Sequence, residues 1–174
     1  MKTLNDNGLP IIQDADLTDK VVLVRVDHNV VKNGDIRDPY RIDRTIGTLY
    51  HIVEKGGRII LMSHVGRPRN KTTGEISCDE KNGTGPIAAY IERKLHTKVY
   101  VPEFRIEGKR GILGMDTSLN LAINDLKRRK IGGIYLPNTR WFEGEESKGD
   151  ARVAFARQLA GIADVFVNDA FGSW

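Results

Sequence analysis

The chain has 174 residues, 40% hydrophobic and 29% charged, with 27 Lys and Arg against 23 Asp and Glu. That is the balance of a soluble globular protein of one domain or slightly more. Because the charges are mixed along the chain, the basic excess is weak evidence for nucleic acid and suits a small anionic ligand at least as well. Cys78 is the only cysteine, which excludes an intramolecular disulfide and a multi-cysteine zinc site and points to a reducing, cytoplasmic setting. Met1–Leu17 holds Asn5, Asp6, Asp14 and Asp16 and lacks the apolar core of a signal peptide. No run approaches the ~20 apolar residues of a membrane span.

Val21–Val26 (V-V-L-V-R-V) is the first predicted strand and ends in Asp27-His28-Asn29. Asn33-Gly34 signals a turn. Asp38-Pro39 then opens a helix, with Asp38 as N-cap and Pro39 at the first helical position. Ile42, Ile46, Leu49 and Val53 recur at intervals of three and four, predicting one apolar face, and Gly56-Gly57 ends the helix. Arg41 falls in its first turn, where a cation opposes the helix dipole. Its position there is easier to understand with an anion nearby.

Arg58–Met62 reads as a strand buried on both faces. It stops abruptly at Ser63, His64, Gly66, Arg67 and Pro68. The polar stretch 69–85 lacks periodicity and is expected to be a mobile loop. Its end, Gly83-Thr84-Gly85-Pro86-Ile87-Ala88, formally fits a dinucleotide pattern, but no strand precedes it, so it is set aside. Pro86–Leu95 predicts a short helix, Lys98–Val101 a strand, and Glu103–Met115 an irregular segment. Thr117 is expected to cap a helix burying Leu119, Ala122, Ile123 and Leu126, closed by the basic run Lys127–Lys130. At a helix C-terminus that run complements the dipole, so a nucleic-acid patch is the weaker reading. Ile134–Leu136 is the next strand, ending in Pro137-Asn138-Thr139-Arg140. After an acidic loop, Asp150 is expected to cap a helix with Val153, Ala156, Ala160 and Ala163 inward. Val165–Val167 is the last strand and leads into Asn168-Asp169-Ala170-Phe171-Gly172.

Strands alternating with helices predict an α/β fold, a parallel sheet flanked by helices on both faces in a Rossmann-like three-layer arrangement. In such a sheet all carboxyl ends share one edge, where ligands collect. Asp27 and Asn29, His64 and Arg67, Asn138 and Arg140, and Asn168 and Asp169 all follow strands. With Arg41, this gives three arginines and a histidine for one crevice. Arginine forks match phosphate and carboxylate oxygens. Asp27 and Asn29 suit hydroxyl groups. The implied ligand is a small polyanion that also carries a hydroxyl.

V-R-V-D-H-N-V, R-D-P-Y-R-I, L-M-S-H-V-G-R-P, L-P-N-T-R-W-F and D-V-F-V-N-D-A-F-G resemble, in order, the N-terminal lobe of phosphoglycerate kinase. The resemblance covers nearly the whole chain from Val21 onward. It implies a transferase of glycolysis that moves a phosphoryl group reversibly between ATP and the carboxylate of 3-phosphoglycerate. It places Asp27, Asn29, Arg41, His64, Arg67 and Arg140 on the substrate-binding positions, with Arg41 beside the transferred group as the catalytic residue. It implies 3-phosphoglycerate and 1,3-bisphosphoglycerate as ligands, a monomer, and no nucleic-acid or membrane partner. Magnesium-bound ATP or ADP would be held by a C-terminal lobe, with no cofactor or metal site in residues 1–174, a single α/β domain. The sequence stops at Trp174, inside a block the family continues, and holds no phosphate-binding G-x-x-x-x-G-K-[ST] loop. The expectation is therefore an acceptor-substrate lobe, inactive alone. The alternatives are a non-catalytic anion-binding module, or inactive relative, and a nucleic-acid-binding domain. His28 stands where the family usually has Phe, Val31 where it has Pro, and Pro137 where it has Glu.

Overall fold

The computed structural model describes residue 8 and residues 10–170. Phe171, Gly172 and Trp174 of the last block lie outside the described residues. Strand β1 (Val21–Val26) forms as expected. Asn33 and Gly34, both at positive φ (55° and 85°), turn the chain between β2 (Val31–Lys32) and β3 (Asp35–Ile36). Positive φ at both central residues matches the twist of an antiparallel hairpin, and Asn-Gly adopts it readily.

The single helix expected after Pro39 is two helices, α1 (Pro39–Asp43) and α2 (Ile46–Glu54). Asp38 precedes α1 without a side-chain cap hydrogen bond. At the break, the Thr45 hydroxyl donates to the Ile42 carbonyl at 2.8 Å, competing with regular helix pairing. Ile42, Leu49 and Ile52 are buried, whereas Val53 is 53% exposed. The phase change at Thr45 moves the apolar stripe off the residue that unbroken periodicity selects.

Strand β4 (Arg58–Met62) follows. Segment 69–85 is more structured than the expected mobile loop. Arg69 and Ile76 pair as an antiparallel bridge, Ile76 is buried, and residues 80–82 form a single 3-10 turn. Helix α3 (Gly85–Leu95), strand β5 (Val99–Tyr100), helix α4 (Thr117–Lys127) and strand β6 (Gly133–Tyr135) come next. The α4 cap is Asp116 rather than Thr117: the Asp116 carboxylate accepts the Ser118 N–H at 2.8 Å. Helix α5 (Asp150–Gly161) and strand β7 (Val165–Asp169) complete the fold.

Strands β5-β6-β4-β1-β7 form one sheet in that order, with every pairing parallel. Alternating residues divide the core into two layers. Val22, Val24, Val26, Ile59 and Leu61 meet the buried residues of α2 and α3. Val21, Leu23, Ile60, Met62 and Ile134 meet those of α4 together with Phe142 and Trp141. Each fully buried Val, Ile or Leu contributes roughly 1.5–3 kcal/mol, so these layers dominate the stability. The three-layer α/β arrangement is the one expected. Helix α5 differs from expectation: Gly149 holds its cap position, none of its residues is buried, and Val153 is 47% exposed. Its small alanines leave an apolar gap of about 410 Å³ against Leu23, Met62 and Phe166. Among the described residues, no helix is long and apolar enough to cross a membrane.

Candidate functional site

Parallel pairing sets the ends of β1, β4 and β6 side by side, and the residues that follow them form one crevice. Arg41, on α1, is ion-paired with Asp27 just past β1. Its Nη1 also donates to the Asn29 backbone carbonyl at 3.3 Å. The Asn29 side-chain oxygen accepts the Gly66 N–H at 2.8 Å, tying the end of β1 to the loop after β4. The Gly66 carbonyl in turn accepts from Arg140 Nη1. Gly66 has φ +61°, and a Cβ there would lie 3.2 Å from Asn82 Oδ1. The positive φ favours glycine here, and a Cβ would also press on the Asn82 side chain.

Asp27, Asn29, Arg41 and Arg140 are thus joined directly or through Gly66. His64 lies among them. Burial holds its imidazole below the ordinary range, with Arg140 acting the same way, Asp27 opposing, and Arg25 and Arg41 adding smaller effects in the direction of Arg140. The fold thus favours the neutral ring over the imidazolium. A bound anion would favour its protonation. Arg67 is exposed and lines an adjoining cleft of about 560 Å³ with Arg69, Ser77 and Lys109. It is not joined to the other five.

Asn138 plays a different part from its neighbour Arg140. It is fully buried, and its Oδ1 accepts the N–H groups of Val65 at 2.9 Å and Arg140 at 3.1 Å. Its Nδ2 donates to the carbonyls of Val65 at 2.7 Å and Asn82 at 2.8 Å. All its polar capacity is spent on backbone, so Asn138 shapes the loop and has none left for a ligand. At the far edge, burial raises the carboxyl pKa of Asp169 on β7, with Thr48 and Arg44 opposing.

Two cations beyond the expected set belong to this region. Arg25, on β1, contributes to the field at His64 and at Glu145. A lone charge in an otherwise apolar central strand is the sequence signal for it. Arg69 Nε lies 3.6 Å from Glu146 Oε2, and Arg140 Nε lies 3.6 Å from Glu146 Oε1. Both Nε–H groups are buried without a hydrogen-bond partner. One carboxylate thus sits between two arginines without satisfying either, as an anion at closer range could. Beside it, burial raises the Glu145 carboxyl pKa, Arg140 opposes, and Glu146 reinforces the rise. Among the described residues, no group of three or more His, Cys, Asp or Glu could hold a metal ion.

The arrangement can bind a small anion on guanidinium forks and a backbone loop, and can present Asp27 and Asn29 to hydroxyl groups. Comparison with known proteins gives this geometry a context. A family model described as phosphoglycerate kinase matches residues 12–174. Phosphoglycerate kinases from Staphylococcus aureus strains JH9 and Newman are each 38% identical over 168 residues, covering 94% of this chain. The chain spans 38% of the length of those relatives. The solved phosphoglycerate kinase of Coxiella burnetii superposes with a TM-score of 0.66 at 25% identity, over 93% of this chain and 35% of that one. The enzyme from Pyrococcus horikoshii OT3 has a similar fold, with a TM-score of 0.65 at 23% identity over 92% of this chain and 36% of that one.

Proposed function

The chain belongs to the phosphoglycerate kinase family, and on that basis we propose that it is the acceptor-substrate domain of such a kinase, binding 3-phosphoglycerate or 1,3-bisphosphoglycerate. The supporting observation is the convergence of Asp27, Asn29, Arg41, His64 and Arg140 past the carboxyl ends of three neighbouring strands. In this reading His64, Arg67 and Arg140 hold the fixed phosphate, and Asp27 and Asn29 orient the hydroxyl-bearing carbon. Arg41 leaves Asp27 to stabilise charge on the phosphoryl group in transit. Phosphoryl transfer needs little covalent chemistry from the protein; positioning and charge stabilisation dominate.

ATP or ADP with magnesium is the co-substrate in this proposal. The nucleotide is assigned to a C-terminal lobe, a reading supported by the greater length of the relatives, of which this chain spans 38%. Residues 1–174 act as one domain of a cytoplasmic monomer that closes against that lobe and excludes water. The experiment is amide chemical-shift mapping during titration with 3-phosphoglycerate. Shifts should concentrate at Asp27–Val30, Arg41, His64–Arg67 and Arg140. Shifts confined to Lys127–Lys130 would contradict the reading.

A further inference from the structure

His28 separates the two residues expected to hold the hydroxyl arm of the ligand, yet its ring points the other way, into the core, with no exposed surface. Both ring nitrogens are within hydrogen-bond distance of buried hydroxyls: Nδ1 is 3.0 Å from Tyr135 Oη and Nε2 is 3.1 Å from Thr45 Oγ1. The direction of each bond follows from the neighbours. Thr45 commits its proton to the Ile42 carbonyl at 2.8 Å, so its oxygen must accept from His28 Nε2–H. Nδ1 is then the bare nitrogen and accepts the Tyr135 O–H. The Tyr135 oxygen, its proton spent, accepts from Ser63 Oγ at 3.0 Å.

A single directed chain therefore runs from Ser63 through Tyr135, His28 and Thr45 to the Ile42 carbonyl. Ser63, Tyr135, His28 and Thr45 are all buried. Its members border the site at three places. Ser63 precedes His64, His28 lies between Asp27 and Asn29, and Ile42 follows Arg41.

We propose that His28, as the Nε2–H tautomer, is a positioning residue that fixes the Asp27–Asn29 turn against the Arg41 helix and so orients the hydroxyl-bearing part of the ligand. The proposal rests on the reading of this crevice as a 3-phosphoglycerate site. Burial supports the neutral tautomer by pushing the imidazole down to about 3, with Asp27 opposing and Arg41 assisting. The phosphate-holding groups, Arg140 and the Gly66 loop, are anchored mainly through Asn138, with the Asn29 bond to the Gly66 N–H the one direct link between the two arms. The two arms of the ligand should therefore respond differently to loss of the His28 bonds.

The test compares the wild-type chain with His28→Phe, which keeps an aromatic ring without its hydrogen bonds, and His28→Gln, which restores one donor and one acceptor. Affinity for 3-phosphoglycerate should fall about fivefold or more in His28→Phe, the loss expected for one or two hydrogen bonds. Affinity for inorganic phosphate should stay within about twofold, because its arm is held mainly by the Asn138 bonds, and His28→Gln should recover most of the 3-phosphoglycerate loss. A purely structural role would weaken both ligands together, and that result, or no loss for either, would overturn the proposal. Ring nitrogen shifts should report Nε2–H; a Nδ1–H ring would also overturn it. If the wild-type chain takes up neither ligand, the crevice reading fails instead. The positioning claim is then decided by whether His28→Phe displaces the Asn29 and Arg41 amide resonances, and unmoved resonances reject it.

Discussion

Arg140 Nε stands 3.6 Å from the Glu146 carboxylate, too far for a hydrogen bond, and is otherwise buried without a partner. A carboxylate in that position competes with an incoming phosphate for Arg140 without holding it firmly. Glu146→Gln should therefore tighten binding of 3-phosphoglycerate by about two- to fivefold at low salt, matching the small value of a partly exposed ion pair. The gain should shrink as ionic strength rises. Calorimetric titration at two salt concentrations checks this; weaker binding in the variant would show that Glu146 orders the arginines rather than competing for their ligand.

Asn138→Ala should destabilise the fold by roughly 2–4 kcal/mol, because four hydrogen bonds to buried or part-buried backbone are lost and their partners are left unsatisfied. Urea unfolding measures it. A loss below about 0.5 kcal/mol would mean that the loop does not depend on this side chain.

Asn138 also illustrates what the sequence makes legible. Its place after a strand, beside Arg140, marks it as a site residue. Only the surrounding backbone reveals that its polar atoms are already used. The parallel sheet, its buried strands and the edge carrying the polar residues follow from β/α alternation and short apolar runs such as Ile59–Met62, whereas the strand order β5-β6-β4-β1-β7 does not. The helix break at Thr45 was not legible, because the competing bond to Ile42 is local and His28 lies far off in sequence. Nor was the exposure of Val153 on α5, since periodicity describes a helix face and not whether a partner fills the space against it. Arg69 and Glu146 meet only because distant loops fold over the same edge.

The buried His28 gives stability a pH dependence of predictable sign. In the unfolded chain its imidazole takes up a proton as pH falls through 6.5, whereas in the fold it resists protonation down to about 3. The unfolded state therefore binds the proton first, and stability is lost progressively as pH falls from about 6.5 toward 3. At pH 5 the loss from this group is about 2 kcal/mol. His64 acts in the same direction, while Glu145 and Asp169, with raised carboxyl values, act oppositely. The informative quantity is therefore the difference between wild type and His28→Phe in urea unfolding at pH 7.5 and pH 5. The wild-type chain should lose more stability; equal losses would mean His28 is accessible to protons in the fold.

The central claim is that the ends of β1, β4 and β6 form an anion site for 3-phosphoglycerate, and calorimetric titration of the chain with that ligand tests it most directly. Charge-assisted contacts in an open crevice, less the cost of lost ligand freedom, predict a dissociation constant on the order of 10 µM to several mM. Arg140→Ala and Arg67→Ala should each weaken binding about tenfold or more, while Arg128→Ala, beyond the end of α4, should leave it unchanged. Absence of binding at roughly 20 mM ligand, far above that range, or an equal loss in Arg128→Ala, would contradict the account.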